Sequence, residues 1–578
     1  METVSTLPHW LDDYASKRFE WQCLRVNDQI TFWRPLGHVE SVFDADGRHY
    51  EGRADLNSLL ELEVKSQLSR DELHERILLA WTYLRCRHLL LQSKAITRSQ
   101  AFGKAEGTGD EIGFAINVPD NAKGAVEAAA EHVVFLDDHY DRVQTQDFWI
   151  HCQNTSRVVD PDEALAKMFV FPSEATSNGR HRLRFLFVGS HQIWDGLTTY
   201  VWHRDMVHAM NRSAKEQLEL LISLLDPKSI RERLPLPQEA LYPPIAGSLA
   251  RQRWFWLITR ILRHVRKPLQ AGFANPLSRK EPHRPVSLSP TYASVLDYSK
   301  IPPLNTFPCI LSISLANTQR LHRLCREAKV SVGAGCFALA ALVMMEMYEE
   351  MEPGIPLSKR LPFISGFPLN PRPFFNHHTE PDSLMLAFCD GITLPFLSCK
   401  LNLDGRIRLL SRQAHRQLAS FQKRTRPAGS EAELEYMSSR GAGRVIANQY
   451  TWGIERTDSI LPEHLRKEVN PQGQYPMQPN VTRQTCGVSS VGRNVLVTRG
   501  MYDLEDGTKD FVADFHGTNS SVRARDGEFL VGIGGSERGL GVMVSIDGSS
   551  IDPALVQKWS DKLEHILDEG GDRRIARL

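Results

Sequence analysis

The hydrophobic and polar positions of this chain show a similar order of patterns in both halves. Arg182–Val188 is an apolar run typical of a strand, and Leu197–Met210 follows with an amphipathic helical pattern. In the second half, a strand-like run at 308–315 precedes helical patterns at Asn317–Ala328 and Ser331–Glu350. The last of these is apolar nearly all round for four turns, which predicts a buried helix. The chain as a whole therefore predicts two similar α/β layers in tandem.

The remaining periodic segments complete a mixed α/β pattern. Helical spacing predicts helices at Asp71–Gln92, Asn121–Glu131, Asp404–Lys423 and Pro553–Asp568. Strand-like runs predict strands at Glu111–Val118, Phe148–Gln153, Met168–Pro172, Leu361–Leu369 and Met385–Phe396, a strand or hairpin within 20–35, and several strands within 494–546. The glycine-rich stretch Val531–Gly541 is followed by a strand rather than a helix, so it predicts a tight hairpin and not a phosphate cradle.

Chain length and proline distribution predict the domain organisation. At 578 residues the chain is too long for one ordinary core, so two domains are expected. Prolines are dense between about Asp226 and Thr306, which is typical of a crossover between domains. We therefore predict an N-terminal α/β domain at 1–225, a Pro-rich crossover at 226–307 and a C-terminal α/β domain at 308–578.

The crossover contains a basic amphipathic helix, Arg251–Lys267. Its apolar residues, Trp254 among them, lie on one side, and its arginines lie mainly on the other. A helix of this kind can lie on a membrane surface. The alternative is a linker helix packed into the domain junction, and this second interpretation is favoured.

Composition and charge narrow the classes of partner. Lys plus Arg and Asp plus Glu both number 69, and the resulting zero net charge argues against nucleic acid as an obligate partner. The nine cysteines are odd in number and include no C-x-x-C pair, so neither a disulfide framework nor a thiolate zinc site is expected. The sequence starts without signal-peptide features and has no apolar run long enough to span a membrane. We expect a cytoplasmic monomer without a membrane span.

The candidate chemistry lies at His191, which follows the strand-like run and a Gly-Ser turn. A histidine at the end of a strand is held rigidly, with one ring nitrogen free to face a cavity, and this suits a general base. Asp195 follows four residues later. Two ligands are too few for a metal site, and nothing places the third-ligand candidates at Asp137–Asp141 and Asn376–Glu380 nearby, so no metal is expected.

Two other catalytic arrangements are missing from the sequence. Neither the nucleophile elbow G-x-S-x-G nor the phosphate-binding loop G-x-x-x-x-G-K-[ST] occurs. Ser190 cannot replace the elbow serine, because adjacent residues of a strand point to opposite faces. A lone base suits direct transfer, in which His191 deprotonates a substrate hydroxyl that attacks an activated acyl group. The alternative is a structural core histidine with a helix-capping Asp195.

The segment His191-Gln-Ile-Trp-Asp195-Gly196 resembles the H-x-x-x-D-G signature of the CoA-dependent acyltransferase superfamily. This superfamily includes chloramphenicol acetyltransferase, plant BAHD-type acyltransferases and the condensation domains of peptide synthetases, and it also places the signature between a strand and a helix. Condensation domains usually carry two adjacent histidines, whereas Ser190 stands first here, which favours the O-acyltransferase branch. The length, the Pro-rich crossover and the stretch Asn519–Gly532 look closest to fungal trichothecene O-acetyltransferases.

The resemblance extends to the second half of the chain. Ser331–Ala341 is similar to a Ser/Thr-Val helix of the family, and Asn370–Arg372 is similar to an N/D-x-R element whose arginine pairs with the signature aspartate. This implies a buried bidentate pair of Arg372 with Asp195 that orients the signature loop. Gly196 is expected to let the backbone turn into the following helix.

Further binding residues are implied near the end of the chain. Two short stretches, 489–492 and 514–517, fall where the family has Ser-Ser/Asn and D-F-G-W-G elements, although His516 and Gly517 replace the usual Gly-Trp. The residues expected to bind substrate or CoA are Ser489, Ser490, Gly492, Asp514 and Gly517, with the oxyanion donor expected within 489–492. Trp194 is a further candidate, with its side chain facing either the core or the tunnel.

The fold that the resemblance implies is two chloramphenicol-acetyltransferase-like α/β domains with the active site in a tunnel between them. The implied activity is transfer of an acyl group, expected to be acetyl, from acyl-CoA to a hydroxyl of a terpenoid such as a trichothecene, or of a polyketide. His191 and Asp195 are the implied catalytic residues, His191 as the base, with no covalent intermediate and no permanently bound cofactor. Two alternatives stay open: a condensation-type enzyme that uses a carrier-protein-bound acyl group, and a non-catalytic binding protein with the same fold.

Overall fold

The structure is a computed structural model that describes residues 17–26, 29–103, 111–176, 179–242, 247–267, 269–284, 287–302, 305–375, 379–422, 441–476 and 484–568. Its helices are α1 (His38–His49), α2 (Arg70–Arg87), α3 (Arg98–Ala101), α4 (Ala122–Ala130), α5 (Thr145–Asn154), α6 (Gly196–Met210), α7 (Ala214–Leu224), α8 (Pro227–Arg233), α9 (Gln238–Leu241), α10 (Leu249–Val265), α11 (Leu315–Ala328), α12 (Val332–Met351), α13 (Leu403–Gln422), α14 (Gly441–Ile460) and α15 (Pro553–His565). Its strands are β1 (Gln22–Val26), β2 (Gln29–Pro35), β3 (Leu56–Ser66), β4 (Lys94–Thr97), β5 (Ile112–Asn117), β6 (Val133–Phe135), β7 (Ala166–Val170), β8 (Glu174–Ala175), β9 (His181–Gly189), β10 (Thr306–Ile313), β11 (Phe363–Leu369), β12 (Ala387–Leu394), β13 (Cys486–Arg493), β14 (Phe511–Val522), β15 (Phe529–Ser536) and β16 (Gly539–Asp547).

The strands form three sheets. The first large sheet has the order β14-β3-β9-β7-β6, with β8 paired to β9, and the second has the order β10-β16-β15-β13-β11-β12. A small sheet has the order β1-β2-β5-β4. Although β14 comes from the last part of the chain, it pairs antiparallel with β3 along its whole length, from Val522 opposite Leu56 to Phe511 opposite Ser66. The first large sheet is therefore built from both halves of the sequence.

Each large sheet has its own hydrophobic core. The core of the first sheet contains Trp81, Phe187 and Trp202, and the core of the second surrounds α12. Every residue of α12 from Ala334 to Met347 is buried, which confirms the buried helix predicted from its apolar sequence. The helix is also long and apolar enough to cross a membrane, but 78% of its most apolar window lies inside the protein. The burial of α12 in the core of the second sheet accounts for its apolar sequence.

The segment Phe148–Gln153, predicted as a strand, is instead part of helix α5. Phe148 and Cys152 are four residues apart and belong to one hydrophobic cluster, a spacing that suits a helix face. The Phe148 ring packs edge-on against Phe169 and Phe171, with ring centroids 5.0 and 5.6 Å away. A short apolar run has no decisive periodicity, so tertiary packing against the first sheet decides the conformation.

The crossover helix α10 packs one face into the protein. Phe255 and Trp256 are buried, whereas the neighbouring Trp254 is 52% exposed. Arg263, on the buried face, donates two hydrogen bonds of 3.0 and 2.8 Å to the carboxylate of Glu455. The helix is therefore attached to α14 along one side. Contact of its exposed side with a membrane stays a prediction.

The glycine-rich stretch Val531–Gly541 forms the β15–β16 hairpin. Pairing continues to Ser536 opposite Gly539, so only two residues make the turn. Gly539 has φ +129°, and a Cβ there would lie 2.3 Å from the carbonyl oxygen of Ile313. A glycine is thus required at the turn, and the predicted hairpin is confirmed.

Candidate active site

His191 lies in a short 3-10 turn between β9 and α6. The strand ends at Gly189, the turn covers His191–Ile193, and α6 begins at Gly196. The Nδ1 atom of His191 is 2.8 Å from the carbonyl oxygen of Trp194. Because a carbonyl only accepts hydrogen bonds, Nδ1 carries the proton of the neutral ring and Nε2 keeps a lone pair. The turn therefore fixes the tautomer that a general base requires.

Phe43 of α1 supports the imidazole ring of His191 from one face. The two rings are stacked, with centroids 4.1 Å apart and planes 21° apart. The guanidinium carbon of Arg525 lies 5.4 Å from the centroid of the Phe43 ring, and Arg525 pairs with Asp46 at 2.9 Å. The sequence pattern predicts neither α1 nor a role for Phe43, since no motif marks an aromatic residue so far from the signature in the chain. Sequence reasoning missed both side chains.

Burial controls the protonation of His191. Loss of solvation lowers the pKa of its imidazole to about 4, and the nearby positive charge of Arg525 also lowers it. Two backbone hydrogen bonds and the charge of Asp195 raise the pKa, each with a smaller effect than burial. The ring is therefore neutral near pH 7, which is the form in which Nε2 can accept a proton.

His191 lines a cavity of about 1020 Å³. The cavity lies where α6 and β14 meet β13 and β15 of the second sheet. Two close approaches mark this boundary: a Cβ added to Gly196 would lie 2.8 Å from Val491 Cγ1, and one added to Gly534 would lie 2.9 Å from the Tyr200 hydroxyl oxygen. The volume is at the upper end of the range for small-molecule sites. Both large sheets therefore contribute walls to one substrate-sized space.

The Asp195 carboxylate caps α6 and ties it to the second half of the chain. Its Oδ1 accepts from the backbone N–H groups of Leu197 and Thr198 at 2.9 Å and from the Thr198 hydroxyl at 3.0 Å. Its Oδ2 accepts from Arg372 Nη2 at 2.9 Å and from the backbone N–H of Met385 at 3.0 Å. Among the described residues, no hydrogen bond joins the Asp195 carboxylate to the His191 ring. The geometry thus suits positioning of the turn and not a proton relay.

The contact between Arg372 and Asp195 uses one guanidinium nitrogen. Nη2 donates both to Asp195 Oδ2 and, at 2.7 Å, to the carbonyl oxygen of Ser383, while Nη1 is 3.4 Å from Asn370 Oδ1. The bidentate geometry expected for this pair is therefore wrong, because the guanidinium shares its donors between Asp195 and the surrounding loop. Both side chains are 8% exposed, so the ion pair is shielded from water.

Two residues of the signature are explained by packing. Trp194 is buried and stacks on Trp202 with ring centroids 4.6 Å apart, so its side chain faces the core, and it is not among the described residues that line the cavity. Gly196 does line the cavity, but its φ is not positive, so the expected turn into the helix does not itself require glycine. What requires glycine is the closeness of Val491, which leaves no room for a Cβ.

The stretch Ser489–Gly492 belongs to β13, and only part of it reaches the cavity. Ser489 and Val491 line the cavity, whereas Ser490 faces α12, where its hydroxyl would lie 3.5 Å from a Cβ on Gly333. Gly492 has φ +82° at a register shift between β13 and β15, a bulge conformation that favours glycine. Of the three residues expected to bind substrate here, the structure brings Ser489 to the cavity wall.

Asp514 and Gly517 occupy different surroundings on β14. The buried Asp514 carboxylate accepts from the backbone N–H groups of Gly500, Met501 and Tyr502 at 2.6, 3.1 and 3.1 Å. It therefore holds a loop, and it is not among the described cavity-lining residues. Gly517 lies at a register shift between β14 and β3 and does line the cavity.

Ser190 occupies a buried position directly before His191. Its hydroxyl accepts a hydrogen bond of 3.2 Å from Arg157 Nη2. Arg157 in turn binds both oxygens of the Asp55 carboxylate at 2.7 and 2.9 Å. Ser190 thus anchors the end of β9 to a buried ion pair, a connection that sequence reasoning also missed.

Among the described residues, the metal-ligand candidates do not assemble at His191. Asp137 and Asp138 lie near His74, with ligand atoms within 4.8 Å of one another, but Arg70 hydrogen-bonds to both carboxylates. None of these side chains is among the described residues that line the cavity. The other candidates, at 376–378, lie outside the described residues.

A solved structure with a similar architecture identifies the fold. No family model and no curated protein matches the chain. The TRI3 trichothecene 15-O-acetyltransferase from Fusarium sporotrichioides is similar over 98% of this chain and 99% of its own, with a TM-score of 0.61 and 12% sequence identity. The first condensation domain of the calcium-dependent antibiotic synthetase is similar over 92% of this chain and 94% of its own, with a TM-score of 0.48 and 10% identity. The predicted fold class is confirmed: the chain has the two-domain, chloramphenicol-acetyltransferase-like α/β fold.

Proposed function

We propose that this protein is an O-acyltransferase that transfers an acyl group, acetyl in the simplest case, from acyl-CoA to a hydroxyl of a secondary metabolite. The observation that carries the proposal is the state of His191, whose Nδ1 is held by the Trp194 carbonyl oxygen while Nε2 is left to accept a proton within a substrate-sized cavity. The fold shared with a trichothecene 15-O-acetyltransferase supports a terpenoid such as a trichothecene, or a polyketide, as the acceptor.

The proposed reaction needs no covalent enzyme intermediate. Nε2 of His191 takes the proton of the acceptor hydroxyl as its oxygen attacks the thioester carbonyl carbon, and a tetrahedral oxyanion forms. When the C–S bond breaks, the electron pair leaves with the sulfur, and the imidazolium returns its proton to the CoA thiolate. The products are the ester and free CoA, and His191 is neutral again. A cavity that holds both substrates supplies the proximity that such a transfer requires.

Two parts of the cavity wall fit the other requirements of this reaction. Ser489 on β13 offers a hydroxyl that could donate to the oxyanion. Arg266 and Lys267, at the end of α10, also line the cavity and are suited to the phosphates of CoA. We therefore assign the donor to the part of the cavity near the end of α10.

The decisive experiment is thiol release from acetyl-CoA in the presence of hydroxylated terpenoids and polyketides, with the ester identified by mass spectrometry. We expect thiol and ester to appear in equal amounts with at least one trichothecene-type alcohol. Acetyl groups bound to a carrier protein are tested in parallel. Transfer from the carrier protein alone would replace the proposal with a condensation-type activity, and CoA binding without transfer to any acceptor would favour a binding protein.

A further inference from the structure

His203 of α6 is a fully buried histidine that connects Thr518 and Ser520 of β14, two residues that line the cavity. Its Nδ1 is 3.1 Å from the Thr518 hydroxyl oxygen, and its Nε2 is 3.3 Å from the Ser58 hydroxyl oxygen. Ser58, on β3, is in turn 2.8 Å from the hydroxyl oxygen of Ser520. The Ser58 hydroxyl also lies 3.5 Å from the carbonyl oxygen of Asn519, but this contact is so much longer that Ser520 is the preferred partner. The four side chains form a continuous chain, Thr518–His203–Ser58–Ser520. His203 and Ser58 are fully buried, while the two ends reach the cavity wall.

The number of protons in this hydrogen-bonded series of side chains limits which of its two end hydroxyls can donate to a ligand. Burial lowers the pKa of His203 to about 3, so the ring is neutral and carries one N–H. Three hydroxyl protons and one ring proton are available for three links, which leaves one O–H unused. If Nε2 carries the ring proton, Ser58 donates to Ser520 and the hydroxyl of Ser520 is left to donate. If Nδ1 carries it, every link reverses and the hydroxyl of Thr518 is left to donate.

The two ends are therefore coupled: one is a donor when the other is an acceptor. Thr518 and Ser520 are two residues apart on one strand, so their side chains lie on the same face about 7 Å apart. A ligand that meets both ends must carry two oxygen functions at a comparable spacing, one accepting and one able to donate. Either polarity of the chain satisfies such a ligand without an unpaired buried group, since all four members reverse together.

We infer that Thr518 and Ser520, coupled through His203 and Ser58, form a subsite that recognises an acceptor with at least one oxygen function besides the hydroxyl that is acylated. This deepens the proposed function and rests on it for the identity of the reacting hydroxyl. Thr518 and Ser520 determine specificity by touching the acceptor, and His203 is a positioning residue that acts through them. The substrate class is accordingly a polyoxygenated terpenoid or polyketide rather than a simple alcohol.

The test is calorimetric binding of a trichothecene triol, and of congeners that each lack one oxygen function, to the protein without acyl-CoA. Ser520→Ala and Thr518→Val should each raise the Kd of the triol about 3- to 10-fold, the effect of one lost hydrogen bond. The same variants should leave the Kd of the congener that lacks the recognised oxygen within about 2-fold of wild type. Thr518→Ser keeps the hydroxyl and should restore discrimination. Ser312→Ala, an exposed serine on β10, is the matched control and should change neither value.

The outcomes separate this subsite from the proposed activity, because thiol release is measured independently of binding. Discrimination without thiol release would refute acyl transfer and retain the subsite. Thiol release with triol and congener affected equally by Ser520→Ala and Thr518→Val would retain the activity and overturn the subsite. Failure of the folded wild-type protein to bind any triol would overturn it as well. Thermal unfolding of each variant shows that the comparison concerns folded protein.

Discussion

His191, in the turn between β9 and α6, and His203, in the middle of α6, belong to one strand-turn-helix unit. His203 is fully buried and His191 is partly buried at the cavity wall, and loss of solvation lowers the pKa of each well below the usual value, to about 4 for His191 and about 3 for His203. Their hydrogen bonds differ. His191 has one ring nitrogen bound to the Trp194 carbonyl oxygen, whereas both ring nitrogens of His203 are bound to hydroxyl groups.

This difference decides which of the two rings can accept a proton from a substrate. A neutral imidazole can accept a substrate proton only through a nitrogen that no protein group occupies. Among the residues that the structure describes, no group bonds to Nε2 of His191, so this histidine meets that condition. His203 does not, because its lone pair and its N–H are both used within the protein. Burial and a lowered pKa are thus insufficient signs of a catalytic base, and the partners of each ring nitrogen must be known.

The largest effect is expected from removing the base. His191→Ala should lower kcat for acyl transfer about 100- to 10,000-fold, the usual contribution of a general base. The melting temperature should stay close to that of wild type, since the ring borders the cavity. Steady-state thiol release and thermal unfolding measure the two quantities. His322→Ala, an exposed histidine on α11, is the control, and near-normal turnover of His191→Ala would refute the mechanism.

The next effect concerns the carboxylate that holds the turn. Asp195→Asn removes the buried negative charge opposite Arg372 and should lower the free energy of unfolding by about 3 to 5 kcal/mol, as is typical when a buried pair loses one partner. Activity should fall with it through loss of orientation. Urea denaturation and kcat check both effects. Because a single guanidinium nitrogen makes the contact, Arg372→Lys should keep more activity than Arg372→Ala; equal losses would contradict this geometry.

Replacing His203 should lower stability more than kcat, whereas replacing His191 should lower kcat more than stability. His203→Ala leaves a cavity and deprives Ser58 and Thr518 of a partner, so the free energy of unfolding should fall by about 3 kcal/mol. With saturating acceptor, kcat should fall far less than in His191→Ala, while the KM for a polyoxygenated acceptor rises. Urea denaturation and steady-state kinetics provide the comparison. A loss of kcat as large as that of His191→Ala would show that the two histidines do not have separate roles.

The smallest expected effect concerns how native stability and kcat/KM depend on pH. Since burial lowers the pKa of both histidines, the unfolded chain binds more protons than the native protein below the ordinary pKa of about 6.5. Native stability should therefore fall as the pH falls from about 6.5 toward 4, and His203→Ala should weaken this dependence. The kcat/KM profile should show its acidic limb well below 6.5, with the same midpoint in His203→Ala. A midpoint near 6.5 would contradict the burial of His191.

The sequence predicts the position of His191 well because its signals are local. An apolar run that ends in a turn, followed by a helix-capping aspartate, specifies strand, turn and helix through contacts only a few residues apart. The division of roles between His191 and Asp195 also follows from the resemblance, although the structure replaces the bidentate Arg372 contact with a single nitrogen.

Local patterns fail where distant segments decide the environment. Phe43 stacks on the imidazole and Arg525 lies over the Phe43 ring, both from positions far away in the chain, and the sequence pattern does not predict helix α1. The same holds for Trp194, whose burial against Trp202 depends on how α6 packs. Phe148–Gln153 illustrates the rule for secondary structure, because packing against Phe169 and Phe171 made it a helix.

The sequence by itself determined the α/β class, the buried helix α12, the hairpin at Val531–Gly541 and the candidate base, all of which depend on short-range periodicity or turn chemistry. Only the tertiary structure decided which groups share the cavity. Strand β14 pairs with β3 at the edge of the first sheet, and this brings Thr518 next to His203 and Ser520 next to Ser58. That pairing joins residues 445 to 466 positions apart through backbone hydrogen bonds, and no local pattern along the chain encodes such a partner.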